Sequence, residues 1–163
     1  MTHPTQALHI PDTQSERDER HLAIQRVGVK DVRYPLRLRV AGAEQQTAAL
    51  WSLDVALPAD KKGTHMSRFV AWLDGLDAPL DATVLRDKLA AMLDLLGASD
   101  GRIESCFSFF LRKRAPVSGV SSLMDYQGRW IAETRDGKTT VWTEVTVPVK
   151  SLCPCSKEIS DYG

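Results

Sequence analysis

Cys153 and Cys155 stand one residue apart in Ser151-Leu152-Cys153-Pro154-Cys155-Ser156-Lys157-Glu158-Ile159-Ser160. A thiolate is a soft ligand suited to zinc, and a nucleophile when its pKa is lowered. Ser156–Ser160 can open a helix, whose N-terminal dipole would favour a thiolate beside it. Lys150 and Lys157 add positive charge nearby. The plainer reading is two small half-buried residues at a strand end, because common zinc spacings differ from Cys-x-Cys. A metal site needs three or four protein ligands. The histidines are His3, His9, His21 and His65, three of them near the N-terminus. Local sequence does not complete a metal site, so the remaining ligands are expected from distant residues or from chain beyond Gly163.

The second constellation is Asp60-Lys61-Lys62-Gly63-Thr64-His65-Met66-Ser67-Arg68. A glycine beside two lysines at a helix start can offer backbone N–H groups and cations to a phosphate. Ser67 and Arg68 would add donors. The spacing is not that of a Walker A loop. A solvated basic turn before a capped helix is the plainer account, because such turns are common on surfaces. His65 reads as a surface residue at that helix start. Cys106 lies in an apolar stretch and is expected in the core, where a free cysteine behaves as a small hydrophobe. Trp51, Trp72, Trp130 and Trp142 are read as packing residues. The Arg33, Arg37 and Arg39 stripe is read as a solvent face or a subunit contact.

These groups need a scaffold, and the chain has the length for one domain of 163 residues. Lysine plus arginine and aspartate plus glutamate are equal at 21 each, which argues against a nucleic-acid or membrane-surface protein. Apolar runs fall well short of the roughly 20 residues of a membrane span. Residues 1–25 are polar, carry Pro4 and Pro11, and lack the apolar core of a signal peptide. They read as a flexible arm, and three reduced cysteines in an unexported chain suggest the cytoplasm.

Alternation over Arg33–Val40 and Thr47–Leu57 predicts a hairpin, with a turn at Gly42–Gln46 and Pro35 marking an edge or a strand start. Thr64 is the expected N-cap of a helix with Met66, Phe69, Val70, Leu73 and Leu76 on its apolar face. A second helix, capped by Asp81, carries Leu85, Leu89, Met92, Leu93 and Leu96 and ends at Gly97. Strand periodicity returns over Arg102–Arg114, and Gly119–Gln127 is ambiguous. Arg129–Arg135 and Thr139–Val149 flank Asp136-Gly137, a strong hairpin signal. The apolar face of the last strand is read as Val141, Thr143, Val145, Val147 and Val149. The expected class is α+β: an antiparallel β-β-α-α-β-β sheet, with room for an extra strand, and two helices packed on one face. Such a sheet leaves its second face and both edges in water, which predicts self-association into a homo-oligomer.

Three segments carry a resemblance. Ile10-Pro11-Asp12-Thr13-Gln14, Lys62-Gly63-Thr64-His65-Met66-Ser67-Arg68-Phe69 and Pro148-Val149-Lys150-Ser151-Leu152-Cys153-Pro154-Cys155-Ser156-Lys157 are similar, in order, to the type IB GTP cyclohydrolases. The Cys-Pro-Cys-Ser-Lys segment is the specific one. The resemblance implies a tunnelling fold that assembles into an oligomeric barrel with active sites at interfaces. It implies conversion of GTP to 7,8-dihydroneopterin triphosphate and formate, the first step towards folate. A divalent metal (zinc, manganese or iron) would activate water for attack on the purine. By resemblance Cys153 is the metal ligand and catalytic, and Cys155 matches a second cysteine of open role. Lys62, His65, Ser67 and Arg68 become candidate triphosphate contacts.

Family members are longer and carry two tunnelling-fold units. Residues 26–163 are expected to be one unit, with the second absent, and this chain alone is expected not to turn over GTP. A tunnelling-fold nitrile reductase shares a Leu-Cys-Pro context, but Cys155-Ser156-Lys157-Glu158 departs from its pattern. A non-catalytic oligomerising module is the remaining alternative.

Overall fold

The computed structural model describes residues 16–149 and 154–159. Five strands form one antiparallel sheet in the order β1 (Ile24–Val40), β2 (Ala43–Leu57), β3 (Gly101–Arg114), β4 (Ser121–Arg135) and β5 (Lys138–Thr146). Two helices, α1 (Met66–Asp74) and α2 (Leu85–Leu96), interrupt the chain between β2 and β3, which are nevertheless neighbours. A short helix, α3 (Pro154–Ile159), follows β5. The class is therefore α+β. Among the described residues no helix is long and apolar enough to cross a membrane.

The sheet holds five strands, one more than the β-β-α-α-β-β order, as the five segments of strand periodicity allow. The ambiguous stretch Gly119–Gln127 and the expected strand Arg129–Arg135 are a single strand, β4, paired with β3 along its whole length. β1 is also longer than read. It starts at Ile24, and register shifts between Val29 and Val32, with Asp31 at φ 55°, disrupt its alternation. The β1–β2 turn is tighter than expected, with Ala41 and Gly42 at its centre, both at positive φ. Asp136 (φ 51°) and Gly137 (φ 73°) form the β4–β5 turn as expected. Both have the backbone sign of a type I′ hairpin, which matches strand twist.

The core lies between one sheet face and the two helices. Ala49, Trp51, Leu53, Val55 and Leu57 alternate inward along β2 and are buried. Ile103 and Phe107 on β3 and Trp130 and Ala132 on β4 continue that layer. Against it α2 places Leu85, Leu89, Met92, Leu93 and Leu96, all buried as expected. Gly97, at φ 61°, ends α2 in the left-handed conformation that glycine adopts without strain. α1 packs through Phe69, Trp72 and Leu73, and Trp72 meets Trp51 edge-on at 6.1 Å. Met66 and Val70, expected on that buried face, are exposed. The linker between the helices returns to the sheet edge. There Leu80 N–H donates to Arg37 O at 2.8 Å and Arg39 N–H donates to Leu80 O at 2.9 Å.

Parity along the strands corrects two further expectations. Cys106 follows Ser105, which faces the core, so its side chain lies on the second face and is exposed. Trp142, next to the inward Val141, is likewise exposed. Of the expected apolar face of β5, only Val141 packs against the core, while Val145, Val147 and Val149 are exposed. Arg33, Arg37 and Arg39 are exposed, as either a solvent face or a subunit contact requires, with Arg37 paired to Glu44 at 3.1 Å. Beyond the Ala49–Phe107 pair, β2 and β3 part. The Gln45 amide spans the gap, donating to Phe110 O at 2.7 Å and accepting from Phe110 N–H at 3.0 Å.

Candidate functional site

The basic segment connects β2 to α1. Pro58 follows the last residue of β2, and its carbonyl accepts from Lys61 N–H at 3.1 Å, which turns the chain. Helix α1 begins at Met66 with His65 as its N-cap residue. Thr64, the expected cap, sits one residue too early, and among the described residues the N-cap side chain makes no capping hydrogen bond. Asp81 accepts from the Thr83 N–H at 2.9 Å, so it caps the turn that leads into α2, short of the helix itself.

A hollow of about 200 Å³ opens beside this segment, between the end of β2, the start of α1 and the end of α2. Lys61, His65 and Arg68 line it, with Gly63 and Gly97. Lys61 Nζ donates to Gly97 O at 3.0 Å, and Arg68 donates to Leu95 O at 3.2 Å. Helix α2 has no basic residue in its own last turn, so these two cations meet the negative end of its dipole. Among the described residues their partners are neutral carbonyls, which do not cancel the positive charge.

Lys62 points elsewhere. Its ammonium pairs with Glu16 at 2.8 Å, and its N–H donates to Glu16 O at 3.2 Å. Ser67 is exposed on the first turn of α1. The structure thus brings His65 and Arg68 to one hollow, adds Lys61, and sets Lys62 and Ser67 outside its lining. A signal for Lys61 was available. It precedes the glycine by two residues in the same loop, and α2's lack of a terminal cation leaves room for one from outside.

The second sheet face holds a larger hollow of about 460 Å³ near Asp54, Arg102 and Glu133. Ion pairs ladder across this face. Arg26 meets Asp54 at 2.5 Å, Arg102 meets Glu104 at 2.7 Å and Glu133 at 3.5 Å, and Arg129 meets Glu104 at 2.8 Å and Glu144 at 3.0 Å. Burial pushes the Glu104 carboxyl upward, but hydrogen bonds from Arg102 and Arg129 outweigh it and hold it below its ordinary value. Three guanidiniums and four carboxylates thus pair with one another in a network across this face. Cys106 sits beside it. Partial burial of its sulfur, and then the Glu104 charge, push its thiol upward, which keeps it a poor nucleophile.

Cys153 lies outside the described residues. Cys155 is exposed in the first turn of α3, which starts at Pro154, two residues earlier than expected. Among the described residues no group of three or more histidine, cysteine, aspartate and glutamate side chains converges to hold a metal ion. The described residues therefore do not by themselves fit a divalent metal.

Comparison with known proteins adds what geometry leaves open. The family model for type I GTP cyclohydrolase FolE2 matches residues 10–163. A GTP cyclohydrolase FolE2 from Methylibium petroleiphilum is 72% identical over 100% of this chain and 57% of its own length. One from Paraburkholderia xenovorans is 56% identical over 100% of this chain and 61% of its own. One from Burkholderia pseudomallei is 56% identical over 94% of this chain and 58% of its own. The chain thus spans 57% to 61% of the length of these relatives.

Proposed function

Because this chain belongs to the type I GTP cyclohydrolase FolE2 family, we propose that it supplies part of an enzyme that converts GTP to 7,8-dihydroneopterin triphosphate and formate, in the cytoplasm. The observation that carries this reading is the family match over residues 10–163. The finer assignment, to type IB, rests on the Cys153-Pro154-Cys155-Ser156-Lys157 segment. That match does not favour the nitrile reductase.

In this reading residues 26–163 form one tunnelling-fold unit, and the whole enzyme has a second. Copies close into a homo-oligomeric barrel. The exposed apolar side chains of Trp142, Val145 and Val147 near the β5 edge support such a contact. The triphosphate of GTP approaches the β2–α1 loop, where Lys61, His65 and Arg68 line the hollow and Lys62 and Ser67 stand beside it. Cations held by carbonyls keep their charge for the phosphates, and their partners fix them in place before the ligand arrives. Cys153 is the residue assigned to a divalent metal (zinc, manganese or iron), with its other ligands outside the described set. A metal bound there would supply an activated water. The family's folate role belongs to the same reading.

The test is a chimera in which this chain is followed by the remaining residues of the Methylibium petroleiphilum relative. Neopterin fluorescence after oxidation reports turnover, and elemental analysis reports retained metal. The chimera is expected to turn over GTP, and Cys153→Ala to lose both turnover and metal. A chimera that folds and oligomerises but releases no formate from GTP would sink the reading. Full metal retention in Cys153→Ala would remove the ligand assignment alone.

A further inference from the structure

Of the three cations around the β2–α1 loop, one differs in kind. Lys61 and Arg68 are held by neutral carbonyls, whereas Lys62 is held by a carboxylate, Glu16. The segment bearing Glu16 is fastened to the loop by backbone as well. Asp18 N–H donates to Asp60 O at 3.0 Å and Lys62 N–H donates to Glu16 O at 3.2 Å, and Arg17 forms an antiparallel bridge with Lys61. Asp18, itself buried, folds back onto Arg20 through its carboxylate, which stiffens the turn that follows. The segment before β1 therefore runs along the basic loop as a strap.

We propose that Glu16 is an internal counter-ion for Lys62, and that an anionic ligand of the loop, a triphosphate group, must displace it from that ammonium. This rests on the reading of Lys62 as a phosphate contact. The displacement is within reach of a polyanion. The two side chains are 48% and 50% exposed, so water screens the pair, and an exposed pair is weak. A triphosphate presents several charges, and its attraction to Lys61 and Arg68 remains whatever Glu16 does. The strap then sets affinity by a few-fold factor, and it leaves the loop's shape in place because its backbone bonds do not involve the carboxylate.

The experiment is calorimetric titration of inorganic triphosphate, at low salt, into the purified protein and into Glu16→Gln, Lys62→Met and the double variant. Glu16→Gln is expected to bind about two- to fivefold more tightly, the scale set by an exposed ion pair. In the Lys62→Met background the same change is expected to have no effect. Equal affinity of wild type and Glu16→Gln, with Lys62→Met weaker, overturns the strap and leaves the phosphate contact standing. Equal affinity of wild type and Lys62→Met, or no binding by any variant, removes the phosphate contact and the strap with it. Circular dichroism confirms that each variant is folded.

Discussion

Gly128→Ala tests the packing between β3 and β4 most directly. Gly128 lies opposite Phe107, on the core face of the sheet. A Cβ at position 128 would stand 2.6, 2.8 and 3.2 Å from three carbons of the Phe107 ring. Ordinary carbon contacts are about 3.5–4.0 Å, so the ring must retreat by roughly an ångström. It has little room. Phe107 is buried, its ring lies 4.4 Å from that of Trp130, and Phe109 stands 6.4 Å away on the other side. Overpacking of this kind costs about 1–3 kcal/mol. Loss of glycine's freedom in the unfolded chain returns about 0.4–1 kcal/mol. At about 2–4 °C per kcal/mol for a chain of this size, the melting temperature should fall by up to about 10 °C.

The assay is thermal unfolding of Gly128→Ala, Phe107→Leu and the double variant. Phe107→Leu withdraws the ring atoms that the new Cβ meets. The alanine penalty should therefore shrink in its presence, with a coupling of about 1 kcal/mol. Strictly additive penalties in the double variant would refute the steric argument. Gly28 supplies a harsher comparison. There a Cβ would meet backbone, with Leu53 O at 2.0 Å, and no rotamer change can relieve it.

Other outcomes are expected elsewhere in the fold. Ser105 is fully buried between Trp51 and Trp130 in register, and its hydroxyl has no partner among the described residues. Ser105→Ala should hold or raise stability, by up to about 1 kcal/mol, and a loss larger than that in urea unfolding would show the hydroxyl to be bonded. Glu104 is held below its ordinary 4.5 in the folded state, so its stabilising pairs are intact above that value and fail as pH falls through the lower, folded one. Glu104→Gln should therefore narrow the stability difference between neutral pH and about pH 3, and an unchanged difference would contradict the network. Gln45→Ala removes two hydrogen bonds to Phe110 and should cost about 1–3 kcal/mol, with faster hydrogen exchange at the Phe110 amide. Unaltered exchange there would show that the amide does not close the gap.

Helix α2 was legible because five apolar residues at helical spacing, ended by Gly97, point to one answer. Asp136-Gly137 was legible because both turn positions need positive φ. Cys106 and Trp142 were misread for one reason. Residue type points both to the core, whereas in a sheet covered on one side parity decides which face a residue occupies. The first half of β4 escaped because Leu123 and Met124 lie beyond the helix layer, both exposed, so no alternation records a buried side. At the candidate site, residue types marked the basic loop but not its partners. The pairing of Glu16–Asp18 with Asp60–Lys62 runs through backbone groups, which every residue carries, and so leaves little trace in residue types.

The bond between the helix linker and β1 restricts how this sheet can grow. A strand joining at an edge needs a row of outward N–H and C=O groups. On β1, Arg37 O and Arg39 N–H are spent on Leu80, and Pro35 has no N–H to give. Edge-to-edge templating by another chain is thereby confined to the first half of β1. At β5, among the described residues, no strand pairs with the outer side. Among the described residues one edge is therefore closed over half its length and the other carries no added strand, so a neighbour adding strands meets a polarity between the two.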